Sequence, residues 1–270
     1  MKSLRLGVIG YGLRAPVANY AHQPDNNVSV GALADICPQT LERFRHGGDR
    51  HEYFDKNIFL TDNYLDILQR SDIDAMLILS PDHLHEEHAI ACLEAGKDVY
   101  LEKPIAISID SCDRILKTAY ETGSKLFLGH NMRHFPVVLK MKEIIDSGII
   151  GDIQAVWCRH FVNYGGEAYF KDWHSQRQYT HGLLLQKGAH DIDVIHWLSG
   201  AYTTATSAMG KLSVYDKCDK RQEDEKADFS NFGSADNWPP LEQQGMSPKI
   251  DIEDHSMMLM QLSNGIQASY

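Results

Sequence analysis

Long apolar runs are missing from this sequence, and so are paired cysteines and any surplus of positive charge. No uninterrupted apolar stretch reaches the ~20 residues that a membrane-spanning helix needs, which argues against a membrane protein. The opening Met1-Lys2-Ser3-Leu4-Arg5-Leu6-Gly7 runs straight into a strand-like segment. It lacks the basic, long apolar and small-residue succession of a secretory signal, so none is expected. The five cysteines, Cys37, Cys92, Cys112, Cys158 and Cys218, are scattered without a CxxC pair and read as reduced thiols of a cytoplasmic protein. Lys and Arg number 26 against 37 Asp and Glu, a formal net charge of -11. Such a chain repels phosphate backbones and anionic lipid, so neither nucleic acid nor a membrane surface is expected as a partner. An anionic cofactor must then be held by a local feature such as a helix N-terminus. Internal repeats and low-complexity tracts are also absent.

What is there is a rhythm. Leu4 to Ile9, Val28 to Ala34, Ala75 to Leu79, Asp98 to Leu101 and Lys125 to Gly129 are short, strand-like runs, for the most part apolar. Amphipathic segments such as His83 to Ala95 and Ser108 to Thr122 separate them. Buried strands alternating with helices predict an α/β protein with a doubly wound parallel sheet over residues 1–130. Residues 131–270 read as a second α/β domain. Helices are predicted over Pro136 to Ser147 and Leu183 to Leu198, and strands over Asp152 to Val162 and Tyr202 to Tyr215. Residues 216–254 are charged and rich in Gly and Pro, which predicts a long solvated surface loop. His255 to Leu262, a turn at Ser263-Asn264-Gly265, and Ile266 to Tyr270 read as a hairpin. The sequence stops inside that last strand pattern, so further strands of a longer parent protein are expected to follow.

Three junctions carry chemistry. Gly10-Tyr11-Gly12-Leu13-Arg14-Ala15 follows the first strand, with Gly10 for the tight turn, Gly12 for close approach of a pyrophosphate and Ala15 for helix–strand packing. The bland alternative is an ordinary strand–helix turn. Asp35 closes the second strand, where a carboxylate accepts from an adenosine ribose and repels a 2′-phosphate, favouring NAD over NADP; it can also cap the next helix. Ser80-Pro81-Asp82-His83-Leu84-His85-Glu86-Glu87-His88 follows the third of these runs and should face the cofactor through Ser80, Pro81, His83 and His85. A metal is not expected there, because His85 and His88 are three apart, position 89 is Ala, and HExxH needs a spacing of four. Glu102-Lys103-Pro104 follows the next run. A cis Lys103–Pro104 bond would fix Lys103 at the mouth of a site, where a cationic nicotinamide would lower its pKa; a surface lysine before a turn is the alternative.

GVIGYG, SPDHLHEEHAIACLEAGKDVYLEKPIA, LGHNMRH and QKGAHDIDVIHWLSG together resemble the glucose–fructose oxidoreductase/inositol dehydrogenase/MocA-like family over essentially the whole chain. The resemblance implies a Rossmann domain followed by an α/β domain with a large open mixed sheet. It also implies an active site between the domains, and oligomerisation through the sheet face. It further implies NAD(P)-dependent oxidation or reduction of sugars, cyclitols or polyols. By similarity Lys103 is the lysine of the family's EKP motif and His190 its catalytic histidine. The inositol dehydrogenase kind carries Asp four residues before that histidine, whereas this chain has Gln186, which counts against inositol-like substrates.

The residues support the second-domain reading. Gln186, Lys187, His190 and Asp193 lie on one predicted helix, with Gln186, His190 and Asp193 on one face. That stripe is either a lined cavity or a solvent face. Trp173 and His174, in an aromatic loop from Tyr164, suit a sugar or serve as core anchors. Asn131 and Arg133 suit a cofactor-proximal or hinge role. The expected protein is a cytoplasmic, homo-oligomeric NAD-dependent dehydrogenase of a small sugar or polyol. In it Glu102 and Arg133 join the cofactor contacts, and Gln186, Lys187, Trp173 and His174 join the substrate contacts. His190 is the general base with Lys103 polarising the oxygen, or the reverse. An NAD-dependent glycosidase acting by transient oxidation and elimination, and a non-enzymatic NAD- and sugar-binding sensor, are the alternatives.

Overall fold

A computed structural model of the chain describes residues 3–46, 54, 57–230 and 242–270. They fall into two compact units, Met1–Gly129 and His130–Tyr270.

The first unit is built on six strands: β1 Leu4–Ile9, β2 Val28–Ala34, β3 Phe59–Thr61, β4 Ala75–Ile78, β5 Asp98–Leu101 and β6 Leu126–Leu128. Every pairing is parallel, and the order is β3-β2-β1-β4-β5-β6. The strand order reverses between β1 and β4, so the loops after those two strands flank the switch point of the sheet. Alternate side chains explain why these runs bury both faces. Leu6, Val8, Val30 and Leu33 pack with α1 Ala15–Ala21 and α2 Pro38–Arg45, through Ala15, Ala18, Leu41 and Phe44. Ile9, Ala32, Met76 and Ile78 pack on the other face. There they meet α3 Tyr64–Leu68, α4 His85–Glu94 and α5 Ile109–Thr122, through Ile67, Ala89, Leu93 and Ile115. Ser108 caps α5 by accepting from the Ser111 N–H at 3.2 Å. β3 has no counterpart in the expected pattern. It is three residues long, and what places it is pairing with β2 through Ala32 to Ala34.

The second unit holds a four-stranded mixed sheet, β7 Ala155–Trp157, β10 Gln267–Ser269, β9 His255–Leu262 and β8 Thr203–Lys211, in that order. β10 runs parallel to β7, and β9 is antiparallel to both neighbours. The hairpin reading of 255–270 holds. Helices α6 Pro136–Asp146, α7 Gly165–Tyr169, α8 Arg177–Thr180, α9 Leu183–Gln186 and α10 Gly188–Ser199 complete the unit among the described residues. Ile195 and Ile192 of α10 pack on Met258, Met260, Leu262 and Ala268 of the sheet.

Four expectations for this unit need correction. The strand expected over Asp152 to Val162 is only Ala155–Trp157, because its partner β10 offers three residues of register. The strand expected over Tyr202 to Tyr215 ends at Lys211. There the Asp254 carboxylate gathers the N–H groups of Ser213, Val214 and Tyr215 at 3.0, 2.6 and 3.1 Å and turns the chain. The single helix over Leu183 to Leu198 is broken at Lys187: its N–H still reaches Leu183 at 2.8 Å, while His190 bonds back only three residues, to Lys187, at 3.4 Å. The segment 216–254 is not merely a solvated loop. Cys218, Met246 and Ile252 are buried with Phe170 in a small core, which a reading by composition overlooks. Residues 231–241 of that segment lie outside the described residues.

Candidate functional site

At the end of β1, Gly10 has φ +84°, and a Cβ there would stand 3.1 Å from the Leu79 carbonyl oxygen at the end of β4. Only glycine accepts both the dihedral and the approach. The amides that follow are unevenly engaged. Tyr11 N–H donates to Asp35 Oδ2 at 2.8 Å, and the helix N-terminus has little to offer. Ala15 N–H bonds to Gly12 at 3.1 Å, Val17 N–H bonds to Arg14 at 3.0 Å, and Pro16 has no N–H. The N–H groups of Gly12, Leu13 and Arg14 donate to nothing among the described residues. A Cβ on Gly12 would meet nothing within 4 Å, so the loop faces open space. The anion cradle is therefore the loop itself rather than the first turn of α1. That donor set suits a diphosphate, so the residues present fit a dinucleotide.

Several residues expected to touch the cofactor also brace the loops. The Tyr11 ring is buried edge-on to Phe44 at 4.9 Å and Phe54 at 5.9 Å, which leaves only its backbone in the loop. Asp35 accepts from Tyr11 and also from Cys37 N–H at 2.7 Å, so it ties the glycine loop to the start of α2; it is half-buried. Arg14 donates to Glu102 Oε1 at 2.7 Å, and Tyr100 Oη donates to the same oxygen at 3.2 Å. Glu102 is 3% exposed and His85 is 0% exposed, so the polar atoms of both are turned on partners within the first unit. His85 sets Nδ1 2.7 Å from the Pro104 carbonyl and Nε2 3.0 Å from the Ser80 carbonyl. Burial pushes its imidazole down to about 4, against the pull of the two carbonyls, so the ring is neutral at pH 7. His88 Nδ1 lies 2.9 Å from Ser80 Oγ. Burial likewise lowers the pKa of His88 and of His83. The Lys103–Pro104 bond is cis, and Lys103 is half-buried on a loop held on both sides, by Glu102 and by Pro104. Leu13 is exposed, and Ser80, Pro81 and His83 are half-buried at the same carboxyl edge of the sheet.

The second unit gathers its polar groups along α9 and α10. Gln186 and His190 are buried and Lys187 is half-buried. Burial lowers the Lys187 pKa, and Asp191, one turn on, raises it in part. His190 lies edge-on to His130 with centroids 6.1 Å apart. Arg133, expected among the cofactor contacts, forks onto Asp193 at 2.7 and 2.5 Å and lies over the Trp197 ring at 5.5 Å. His174 is buried, stacked on Trp173 at 3.7 Å, with Nδ1 2.6 Å from Asp172.

One group escapes the sequence reading. Asp191 is 4% exposed; His160 Nδ1 stands 3.0 Å from its Oδ2, and Tyr270 Oη donates to that oxygen at 3.0 Å. Burial and this carboxylate together push the Tyr270 phenol far up. The i,i+4 spacing from Lys187 was a usable signal for Asp191. Nothing in the sequence joins it to residues 31 and 79 positions away.

A six-stranded parallel sheet with an open amide cradle at its switch point defines the first unit as a dinucleotide-binding Rossmann domain. The family comparison agrees: residues 4–130 match the oxidoreductase family, NAD-binding Rossmann fold, and residues 138–270 match the GFO/IDH/MocA C-terminal domain. The chain belongs to that oxidoreductase family. It is 36% identical over 200 residues to an inositol 2-dehydrogenase of Klebsiella pneumoniae, covering 73% of this chain and 54% of that protein. It is 30% identical over 198 residues to inositol 2-dehydrogenase 1 of Saccharopolyspora erythraea, with the same 73% and 54% covered. The chain thus spans about half the length of the curated relatives it matches. Scyllo-inositol dehydrogenase from Lactobacillus casei, solved with NAD(H) and scyllo-inositol, superposes with TM-score 0.74 at 22% identity. That match covers 99% of this chain and 68% of that one and speaks for the fold alone.

Proposed function

We propose that this protein is an NAD-dependent oxidoreductase acting on a CH–OH group of a sugar, cyclitol or polyol. The observation that carries the reading is the set of open amides at Gly12, Leu13 and Arg14, with Asp35 closing the neighbouring strand. A bound nicotinamide dinucleotide would supply the acceptor for the hydride of the carbinol carbon. The three amides hold its diphosphate. Asp35, whose carboxylate keeps lone pairs beyond those used by Tyr11 and Cys37, accepts from the adenosine ribose and disfavours NADP. Ser80, Pro81 and His83 line the same edge. Lys103 polarises the substrate oxygen and His190 takes its proton, with Gln186, Lys187, Trp173 and His174 on the substrate side.

The curated relatives are named inositol 2-dehydrogenases, and a cyclitol is the first substrate to try. Gln186 stands where the inositol dehydrogenase kind carries Asp, so the panel extends to aldoses and open-chain polyols. We extend the proposal to a homo-oligomer formed through the sheet face where Trp157, Met209, Met257 and Leu259 stand exposed. We extend it also to a cytoplasmic location, which suits five unpaired thiols.

Titration of the full chain with NAD and NADP, followed by nicotinamide absorbance with that panel, tests the reading. NAD uptake and substrate-dependent reduction are expected. A folded chain that takes up neither dinucleotide would end it.

A further inference from the structure

The three histidines of HLHEEH stand at the sheet's carboxyl edge, and two of them have no part in the function proposed above. His85 opens α4, yet its ring turns away from solvent and bridges two loops: the Pro104 carbonyl at 2.7 Å and the Ser80 carbonyl at 3.0 Å. His88, one turn further on and 7% exposed, holds the Ser80 hydroxyl at 2.9 Å and packs edge-on to Tyr64 at 4.5 Å. Two histidines on one face of α4 therefore reach the two loops together: His88 holds Ser80 by its hydroxyl, and the His85 ring lies against the Ser80 carbonyl while it reaches the Pro104 carbonyl. Ser80 in turn abuts the glycine turn, since a Cβ on Gly10 would lie 3.2 Å from the Ser80 Cα. Beyond Pro104 the same ring anchors the loop that presents Lys103, whose other flank is tied through Glu102 to Arg14 and Tyr100.

We propose that His85, assisted by His88, is a positioning residue that clamps the Ser80 loop to the Lys103–Pro104 loop and so fixes where Lys103 and the glycine turn stand relative to each other. With the single N–H of a neutral ring on the closer carbonyl, that of Pro104 at 2.7 Å, a leucine of similar bulk would fill the space but leave that carbonyl without its donor, which frees the Lys103–Pro104 loop to move. A neutral imidazole has one N–H to give, and glutamine can replace that single donation. The clamp is a property of the first unit alone. Its consequence for dinucleotide affinity rests on the function proposed above.

The test compares the wild-type full chain with His85→Leu, His85→Gln and His88→Asn, by amide hydrogen exchange and by calorimetric titration with NAD. His85→Leu is expected to speed exchange at Lys103, Ile105 and Ala106 about tenfold or more and to weaken NAD binding by about tenfold, the loss of one hydrogen bond's worth of order. Exchange in Val30–Ala34 stays as in the wild type, and His85→Gln falls between the two. A merely structural loss would instead speed exchange across the whole sheet, and glutamine would give no rescue; that outcome overturns the proposal. Exchange at 103–106 unchanged in both His85 variants overturns it too. Should His85→Leu fail to fold, His85→Gln at 103–106 and His88→Asn at 80–82 decide: faster local exchange supports the clamp, unchanged exchange refutes it. A wild-type chain that takes up no NAD, while its variants still lose protection at 103–106, keeps the clamp and removes the dehydrogenase reading instead.

Discussion

In the first unit, side chains at the carboxyl edge are turned mostly on the backbone. Asp35 holds two amides and His85 lies against two carbonyls; at the opposite, amino edge Lys97 gives its ammonium to the carbonyls of Arg70 and Ile73 at 2.8 and 2.7 Å. In the second unit Asp254 likewise gathers three amides, but charged side chains also meet one another: Arg133 with Asp193, His160 with Asp191, and Lys171 with Glu167 at 2.8 Å. The difference follows from what each unit presents. A Rossmann edge offers main-chain amides to a ligand, so its side chains are needed to aim loops. A helix lying on one face of a mixed sheet offers side chains, so its carboxylates orient and charge-balance their neighbours.

The comparison breaks most sharply at buried charges. Lys171 and Glu167 are 6% and 2% exposed, so Glu167→Ala leaves a buried ammonium in the second unit with no counter-charge at 2.8 Å and, among the described residues, only the Asp228 carbonyl, also at 2.8 Å, to accept from it. A loss of about 3–5 kcal/mol is expected. It should be read as a second-unit transition in urea, with exchange protection in β1 and β4 unmoved; loss in both units together would erase the contrast. Acid should act on the first unit instead. The His85 pKa is lowered from 6.5 to about 4 in the fold, so the unfolded chain binds the proton more readily between those values. Stability is whole above pH 6.5 and declines as pH falls toward 4, by on the order of 3 kcal/mol. A urea midpoint followed against pH checks this, and His85→Gln should flatten the slope.

A smaller effect is expected at Gly10→Ala, which must hold φ +84° against the Leu79 and Ser80 backbone. About 1–3 kcal/mol of stability is lost, and NAD titration should weaken with it. Smallest is Asp193→Ala, which frees the half-exposed Arg133 guanidinium. About 1–2 kcal/mol is expected, because solvent can rehydrate the arginine left behind. A thermal melt of this variant that moves as far as that of Glu167→Ala would show that the two pairs do not differ as their burial implies.

Local pattern sufficed where the partner of a residue is its own neighbourhood. The strands β1, β2, β4 and β5 and the glycine turn with φ +84° at Gly10 follow from run length and spacing, because both faces of a parallel strand are buried whatever covers them, and the hairpin strand β9 follows from the turn residues beside it. The candidate residues at the ends of those strands were legible for the same reason. What those side chains do was not. That Arg14 meets Glu102 across 88 positions, that His85 lies against Pro104, and that Asp191 binds His160 and Tyr270 are outcomes of folding. So are the three-residue strands β3 and β7, whose lengths are set by their partners. Charge and polarity in a sequence mark which residues need a partner, and only the packed chain settles which one comes within 3 Å.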